Sequence, residues 1–359
     1  MAARPVIPPL DKRVRSAPPM LRIFESTAIP LDPIPPRPGG DRPRFSVMLP
    51  TFDPDEKLRA ALRSVLAQGI PPADMQITVV DDNSRPGLIR DLVREVDAAG
   101  RVEVVRHAER LGMAGNWNRA IALARGDLVH LLHQDDYVLP GFYVAIESGF
   151  RNAPQAGMAF CRSRIVDGNG RSIKSCSRLR WMPGVLHNWL PRIVERQRIQ
   201  TPAAVVRREV YESLGGFRSD LRQALDWEMW VRIASRHVVW YEPHMLAVYR
   251  RHAHNESARL LAANAVWPDL IRAIEINARS LPPSMRVGGL RASARWHAAS
   301  ACRTVERLLA GGEPDQAAAV LEHVPALLRL AGADVPSGAI LRRMLQLRAQ
   351  ISRTTRRAA

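Results

Sequence analysis

The chain is poor in cysteine, lysine and aromatic residues, and it contains no long apolar run. Its three cysteines, Cys161, Cys176 and Cys302, are odd in number and lack metal-like spacing, so neither a disulfide framework nor a zinc module is predicted. The absence of a run of about 18 apolar residues argues against a membrane span, and the N-terminus lacks the apolar core of a secretory signal. We therefore expect a cytoplasmic protein in a reducing compartment.

Basic residues outnumber acidic ones, but the excess lies mainly at the two ends of the chain. The 359 residues include 52 Arg and Lys against 35 Asp and Glu, a formal net charge of +17. Residues 1–44 carry +4, residues 45–257 carry +5 and residues 258–359 carry +8. Because the middle is nearly balanced and neither zinc spacing nor an aromatic RNA-binding pattern accompanies the charge, we predict no nucleic-acid partner.

Composition and periodicity divide the chain into three regions. Residues 1–44 hold 11 of the 28 prolines and show no sustained apolar periodicity, which predicts a flexible leader. Residues 45–257 alternate short apolar runs with helical patterns, as in an α/β domain. Residues 258–359 predict a basic helical region. Near its end, an apolar stripe that includes Leu341 and Leu345 runs beside several arginines, so this helix either packs on the domain or touches an anionic membrane.

The local patterns predict a doubly wound mixed sheet flanked by helices, with a helical C-terminal extension. Asp53, Pro54 and Glu56 predict the N-cap, the first helical residue and the capping-box partner of the first helix. The turn at 168–170 predicts a β-hairpin after the strand at 158–167, so the sheet becomes mixed beyond residue 150. Apolar runs predict earlier strands at 45–49, 77–80, 102–105 and 128–132. Helical periodicity predicts further helices at 88–98, 117–124, 208–214 and 227–236.

Polar residues follow the first two predicted strands, where an open α/β sheet binds its ligand. Thr51 follows the first strand, and Asp81 and Asp82 end the second. Such carboxylates can accept hydrogen bonds from a nucleobase or from ribose hydroxyls. Each short polar segment alone is also typical of a turn or a cap.

Two later segments contain acidic residues suited to metal binding or to proton abstraction. Asp135 and Asp136 come directly after a buried strand, which favours an oxygen-liking cation such as Mg²⁺ or Mn²⁺, with a helix cap as the alternative. Asp226 heads a predicted helix beside Trp227 and Trp230. An apolar environment raises the pKa of an acid and suits it to proton abstraction, although a lone acid there is also typical of a helix cap.

In their set and order, these segments resemble the family 2 glycosyltransferases, inverting enzymes of the GT-A fold that move a sugar from a nucleotide sugar to an acceptor hydroxyl. The resemblance runs from about Phe45 to Ser257. Its main segments are Val79-Val80-Asp81-Asp82-Asn83-Ser84, Gly115-Asn116-Trp117-Asn118-Arg119-Ala120, His133-Gln134-Asp135-Asp136, Leu225-Asp226-Trp227-Glu228 and Tyr249-Arg250-Arg251-His252.

The resemblance implies a role for each matching position. Asp226 corresponds to the general base, and Asp135 with His252 corresponds to the site of a divalent metal, Mn²⁺ or Mg²⁺. The implied donor is a UDP-, GDP- or dTDP-sugar, and the implied acceptor is a glycan or a lipid-linked molecule in cell-envelope or exopolysaccharide synthesis. Positions implied to contact the nucleotide sugar are Pro50, Thr51, Asp81, Asp82, Gly112, Asn116, His133 and Asp136.

Two residues depart from the family pattern. His133 stands where the metal motif usually has its first aspartate, and it could bind either the metal or the ribose. Leu225 replaces the usual glutamate before the base, which removes one carboxylate on the acceptor side. These departures leave open a GT-A-like scaffold protein without activity. A nucleotidyltransferase is disfavoured because the chain lacks the Gly-rich opening loop with Arg or Lys that such enzymes usually carry.

Overall fold

A mixed sheet of ten strands organises the fold. The structure is a computed structural model that describes residues 31–36, 42–97, 99–252, 259–260, 264–332 and 335–358. Most of the predicted leader at residues 1–44 lies outside these residues. The strands are β1 (Phe45–Thr51), β2 (Met75–Asp81), β3 (Val102–Arg106), β4 (Leu128–Leu131), β5 (Tyr137–Val138), β6 (Ala156–Asp167), β7 (Ser172–Ser175), β8 (Gly184–Val185), β9 (Ala204–Arg207) and β10 (Val238–Arg251).

Helices connect and cover these strands. A short 3₁₀ helix, Thr201–Ala203, precedes β9. The α-helices are α1 (Lys57–Leu66), α2 (Leu88–Val96), α3 (Gly112–Leu123), α4 (Phe142–Asn152), α5 (Trp189–Glu195), α6 (Arg208–Leu214), α7 (Leu225–Ala234), α8 (Val266–Ser280), α9 (Pro283–Ala310), α10 (Pro314–Leu321), α11 (Val324–Ala331) and α12 (Val335–Ala358).

The strand order is β3-β2-β1-β4-β9-β6-β10-β5, with β7 paired to β6 and β8 paired to β10. The four strands β3, β2, β1 and β4 are parallel. Strand β9 is antiparallel to both β4 and β6, and β10 is parallel to β6. The predicted hairpin is confirmed, because β6 and β7 pair antiparallel. The predicted α/β class and the change to a mixed sheet are therefore both confirmed.

The central parallel strands are buried along their whole length. Every residue of β1 and β2 is buried, and both strands are rich in β-branched or large apolar residues. Parallel strands with helices on both faces require such continuous apolar runs. Gly126, before β4, allows close packing here, because a Cβ atom would lie 2.6 Å from the backbone carbon of Phe45.

Two predicted helix starts are wrong. Helix α1 begins at Lys57, after Glu56, whereas Asp53 has a φ of 39° and accepts the backbone N–H of Arg85 at 2.9 Å. The expected capping carboxylate therefore orders the neighbouring loop instead. Helix α3 begins at Gly112, five residues before the predicted start at Trp117. The Asp82 carboxylate, which follows β2, accepts the Gly112 N–H and so stabilises the first turn of α3.

The C-terminal helices pack on the part of the chain that carries α5 and α7. Helix α8 contacts α7, and α9 contacts α5. The boundary predicted at residue 257 stays a prediction. Within the described parts of the chain, no helix is both long enough and apolar enough to cross a bilayer.

Candidate active site

The ends of β1 and β2 lie side by side, as predicted for the site. Pro50 pairs with Val80, and Thr51 pairs with Asp81. The Thr51 hydroxyl donates to the Leu49 carbonyl at 2.9 Å, and the Thr51 carbonyl accepts the Asp82 N–H at 2.8 Å. These contacts hold the polar residues at the ends of β1 and β2 next to each other.

Asp81, the last residue of β2, and Asp82, which follows it, are both buried, and both hold backbone segments. Asp81 accepts the Ser84 N–H at 2.9 Å. Asp82 accepts the Leu111 N–H at 2.6 Å and the Gly112 N–H at 3.0 Å. A carboxylate at the beginning of a helix satisfies otherwise unpaired N–H groups and interacts favourably with the helix dipole. Asp82 therefore fixes the beginning of α3, and its predicted contact with the nucleoside stays a prediction.

Helix α3 brings Gly112 and Asn116 to the same edge of the sheet. Gly112 has a φ of 74°, and a Cβ atom there would meet no other atom within 4 Å, so the space beside it is open. The Asn116 amide donates to the Val80 carbonyl at 3.1 Å, while its oxygen lies 3.1 Å from the His107 ring. Asn116 therefore ties α3 to β2 beneath the predicted donor site.

Gln134 joins the end of β1 to the loop after β4. Its side-chain oxygen accepts the Phe52 N–H at 2.8 Å, and its amide donates to the Phe52 carbonyl at 3.2 Å. Sequence analysis did not assign this residue a role. The sequence feature that could have indicated its role is the position of Gln134 inside the His-Gln-Asp-Asp segment.

The loop after β4 assembles two carboxylates with two histidines. Ligand atoms of His133, Asp135 and Asp136 all lie within 4.8 Å of one another. The Asp135 carboxylate contacts His252 Nε2 at 2.9 Å, and the Asp136 carboxylate lies 3.4 Å from His133 Nδ1. The backbone N–H of Arg250 donates to the other Asp136 oxygen at 2.8 Å. The structure thus brings together all four of these predicted residues, which we call the His–Asp cluster.

Electrostatics distinguish the members of the His–Asp cluster. Burial raises the pKa of Asp136 to about 6, and the nearby Asp135 adds to that shift. For His133, burial alone would lower the pKa, but contact with Asp136 and the charges of Asp135 and Asp226 raise it overall. The His133 ring also stacks on Trp117, with ring centroids 4.7 Å apart. This stack fixes the imidazole beside the two carboxylates.

The donor set of the His–Asp cluster fits a divalent cation. Carboxylate oxygen and imidazole nitrogen are ligands of Mn²⁺, and carboxylates are ligands of Mg²⁺. The buried Asp136 oxygen that faces His133 has no hydrogen bond among the described residues. Because adjacent carboxylates repel each other, a cation shared with Asp135 would stabilise the charged form of both acids.

Asp226 lies in the first turn of α7, where neighbouring groups hold its carboxylate. One oxygen accepts the Thr201 hydroxyl at 3.2 Å, and the other accepts the Trp227 N–H at 2.6 Å. Burial raises the pKa of Asp226 to about 6, against the opposing effects of the Trp227 N–H, the nearby His133 charge, Thr201 and Gln197. The mutual effect of the His133 and Asp226 charges indicates that the base candidate lies near the His–Asp cluster.

A residue from the C-terminal helices fixes the loop that leads into α7. The Asp269 carboxylate of α8 accepts the N–H groups of Arg222, Gln223 and Ala224, each at 2.8 Å. These residues directly precede Leu225, where α7 begins. Sequence analysis missed Asp269, because an acid in the first turn of a helix is ordinary and its partners are more than 40 positions away.

Leu225 is fully buried, at 1% exposure. A glutamate at this position would place a carboxylate in an environment that now holds an apolar side chain. Burying a charge without a partner is costly, so the leucine matches its local surroundings. The acids near the head of α7 are Asp226 and Glu228, and Glu228 is paired with Arg232 at 2.8 Å. Asp226 is therefore the acid of this turn that remains suited to accept a proton.

Solved structures show the class of fold to which the chain belongs. Staphylococcus aureus TarS, residues 1–349 in complex with UDP-GlcNAc, matches with a TM-score of 0.62 at 15% identity, over 88% of this chain and 92% of that one. The mannosyltransferase PcManGT from Pyrobaculum calidifontis, in complex with GDP-Man and Mn²⁺, matches with a TM-score of 0.52 at 21% identity, over 94% of this chain and 91% of that one. The fold is that of the GT-A glycosyltransferases.

Sequence relatives identify the family. The model of glycosyl transferase family 2 matches residues 46–215. An uncharacterized protein of Mycobacterium tuberculosis, MT1568, is 30% identical over 236 residues, which cover 62% of this chain and 71% of the relative. The O-antigen biosynthesis protein RfbC of Myxococcus xanthus is 27% identical over 195 residues, 54% of this chain but 14% of that protein. The chain belongs to glycosyltransferase family 2, and it is a glycosyltransferase.

Proposed function

We propose that the protein is an inverting hexosyltransferase that uses a nucleoside-diphosphate sugar and takes Asp226 as its general base. The observation that carries this proposal is the position of a half-buried acid with a raised pKa near His133 of the His–Asp cluster at the strand ends. TarS was solved with UDP-GlcNAc and PcManGT with GDP-Man, which supports a nucleotide-sugar donor for this chain.

The reaction needs one proton acceptor and charge stabilisation at the leaving group. Asp226 removes the proton of the acceptor hydroxyl while that oxygen forms a bond to the anomeric carbon. The bond from this carbon to the diphosphate oxygen breaks in the same displacement, so the configuration inverts. A pKa near 6 keeps Asp226 mostly ionised at neutral pH and makes it a stronger base than an ordinary aspartate.

The donor side of the proposal rests on the strand ends and the His–Asp cluster. Asp135, with His252 and with His133 or Asp136, would hold Mn²⁺ or Mg²⁺. When bound, such a cation neutralises negative charge that develops on the leaving diphosphate. Gly112 leaves room for the nucleotide beside the beginning of α3. The loops that hold Thr51, Asp81 and Asp82 would line its other side.

The setting of the reaction is proposed from the relatives. RfbC is named for O-antigen biosynthesis, and ExoU of Rhizobium meliloti, 33% identical over 86 residues, is named for succinoglycan biosynthesis. We therefore infer a glycan or lipid-linked acceptor in cell-envelope or exopolysaccharide synthesis. The expected cytoplasmic location, with peripheral contact at the inner face of the membrane, belongs to the same proposal.

A binding and turnover panel tests the proposal. UDP, GDP, dTDP and CDP are titrated with and without Mn²⁺, and release of the nucleoside diphosphate is then measured from sugars of the responding class. We expect one nucleotide to raise the melting temperature in a metal-dependent way, because a ligand of the folded state stabilises it.

Two variants make this panel decisive. Asp135→Asn should lose the metal-dependent response, whereas Asp127→Asn, a surface aspartate before β4, should keep it. Equal nucleotide affinity in wild type and Asp135→Asn would show that the metal site is misassigned. Binding of a nucleotide without any turnover across sugar donors and acceptors would instead support the inactive scaffold.

A further inference from the structure

The turn before β7, β7 itself and the connection from β7 to β8 together carry the two most exposed large apolar side chains of the described residues. We call residues 168–183 the β7–β8 segment. Trp181 is 79% exposed, Met182 is 69% exposed and Ile173 of β7 is 51% exposed. Exposed apolar side chains scattered singly are normal in soluble proteins, but Trp181 and Met182 are adjacent in one connection. This segment therefore has an exposed apolar surface suited to contact an apolar partner.

The same segment is strongly basic. Residues 168–194 contain no Asp or Glu, whereas Arg171, Lys174 and Arg178 are exposed in the β7–β8 segment. No carboxylate among the described residues lies within ion-pair distance of these three side chains. In contrast, Arg125, between α3 and β4, is paired with Glu103 of β3 at 2.7 Å. The charge of the segment is thus available to an anionic partner.

The segment is held to the sheet by specific contacts. The Cys176 N–H donates to the Ser163 carbonyl at 2.9 Å, and the Leu179 N–H donates to the Tyr241 hydroxyl at 3.2 Å. The Arg180 guanidinium donates to the Val185 carbonyl at 2.9 Å. The Arg178 guanidinium lies 4.1 Å from the centre of the Trp181 ring. The exposed Trp181 ring is therefore held beside the Arg178 cation, in a segment that is anchored to the sheet.

The segment begins beside the candidate active site. Val166 of β6 pairs with Ser172 of β7 on one side and with Arg250 of β10 on the other. The Arg250 N–H donates to Asp136 of the His–Asp cluster. A surface bound by the β7–β8 segment would therefore lie next to the edge of the sheet where transfer is proposed.

We propose that the β7–β8 segment docks the enzyme on an anionic phospholipid surface. Tryptophan is favoured at the membrane–water interface, where its ring can lie among the acyl chains while its polar atom stays hydrated. Basic side chains next to it bind anionic headgroups. Met182, the residue after Trp181, adds exposed apolar area, and Ile173 of β7 is a further exposed apolar side chain of the same segment. The inference deepens the peripheral membrane contact that belongs to the proposed function by naming the surface that makes it. Its test is independent of sugar transfer, because docking requires neither donor nor turnover.

Co-sedimentation with vesicles tests the docking. The full chain is mixed with phosphatidylcholine vesicles, with or without phosphatidylglycerol, at increasing salt. We expect binding only when phosphatidylglycerol is present and loss of that binding at high salt. Each Lys or Arg near such a surface strengthens binding about fivefold, so Arg171→Gln with Lys174→Gln should weaken it about 25-fold.

Matched variants separate this surface from the C-terminal helix. Trp181→Ser with Met182→Ser should abolish vesicle binding, whereas Leu341→Ser with Leu345→Ser on the exposed face of α12 should leave it unchanged. Both double variants alter exposed residues, so unchanged melting temperatures would show that folding is intact. Absence of binding by the wild type, or loss of binding in the α12 variant alone, would overturn the proposal.

Fluorescence gives a second readout. Among the described tryptophans Trp181 alone is exposed, while Trp296 is half-buried and the others are buried, so quenching by acrylamide reports chiefly on Trp181. Vesicles that contain phosphatidylglycerol should protect this fraction from quenching, and Trp181→Phe should remove the protected fraction. Protection by a soluble glycan but not by vesicles would show that the segment binds an acceptor sugar and would contradict membrane docking.

Discussion

The two sides of the candidate active site are positioned by different parts of the fold. On the donor side, the carboxylates of Asp81 and Asp82 are fixed by backbone groups of the α/β sheet and its loops. On the base side, Asp226 is held by Thr201 and by a loop that is fixed to Asp269 of the C-terminal helices. The donor side is thus positioned by the sheet and its loops. The position of the base Asp226 depends in addition on the C-terminal helices that pack beside the sheet domain.

This difference predicts which functions can be separated by substitution. Changes on the base side should lower turnover while donor binding persists. Changes on the donor side should weaken donor binding and turnover together.

Asp226→Asn is expected to lower turnover by about 10²–10⁴-fold, the usual contribution of a general base. Donor affinity should stay at the wild-type value. Because burial raises the pKa of Asp226, the carboxylate is less favourable in the folded state above pH 6 than in the unfolded chain, so the variant should melt at an equal or higher temperature. Near-wild-type turnover would exclude Asp226 as the base.

Asp269→Ala should lower kcat about tenfold and the free energy of unfolding by about 2 kcal/mol, because three backbone N–H groups lose their acceptor. Donor affinity should not change, and Asp269→Asn should recover part of the lost kcat. Asp315→Ala, at an exposed position on α10, serves as the control. An equal loss of donor affinity in Asp269→Ala would mean that the helices support the whole site rather than the base.

The pH dependence of kcat/KM should follow the ionisation of Asp226. A base must be deprotonated to act, so kcat/KM should be constant above pH 7 and fall about tenfold per pH unit well below the apparent pKa of about 6. The residual activity of Asp226→Asn should lack this decline. A wild-type profile that stays flat down to pH 5 would contradict the role of this carboxylate.

Gln134→Ala should have the smallest effect, a loss of donor affinity of a few-fold. Its two hydrogen bonds to Phe52 join the loops after β1 and β4, and a typical hydrogen bond contributes about 1 kcal/mol. Calorimetric titration of the nucleotide would measure the change. Gln68→Ala, which removes hydrogen bonds at another loop of the same sheet, is a matched control.

Much of the donor side could be predicted from the sequence, because its determinants are local. Continuous apolar runs forced β1, β2 and β4 into buried strands, and the polar residues that follow each strand had to lie at one edge. The strand β10 was not predicted. Pro243 interrupts its pattern, and the pairing with β6 shifts register between Glu242 and Met245.

The base side could be predicted only in part. Asp226 was found through its motif, but the groups that hold it lie in other elements. Thr201 is 25 positions away, and Asp269 acts on residues 45 to 47 positions before it. Patterns in a single sequence indicate periodicity and turns. They do not indicate which distant carboxylate forms hydrogen bonds with which loop.

The most direct test of the account measures donor affinity and turnover for wild type, Asp135→Asn and Asp226→Asn under one set of conditions with Mn²⁺. We expect that Asp226→Asn binds the nucleotide like wild type but does not transfer sugar, whereas Asp135→Asn loses both binding and transfer. Loss of nucleotide binding in both variants, or transfer by Asp226→Asn at the wild-type rate, would contradict the division of the site into a donor side and a base side.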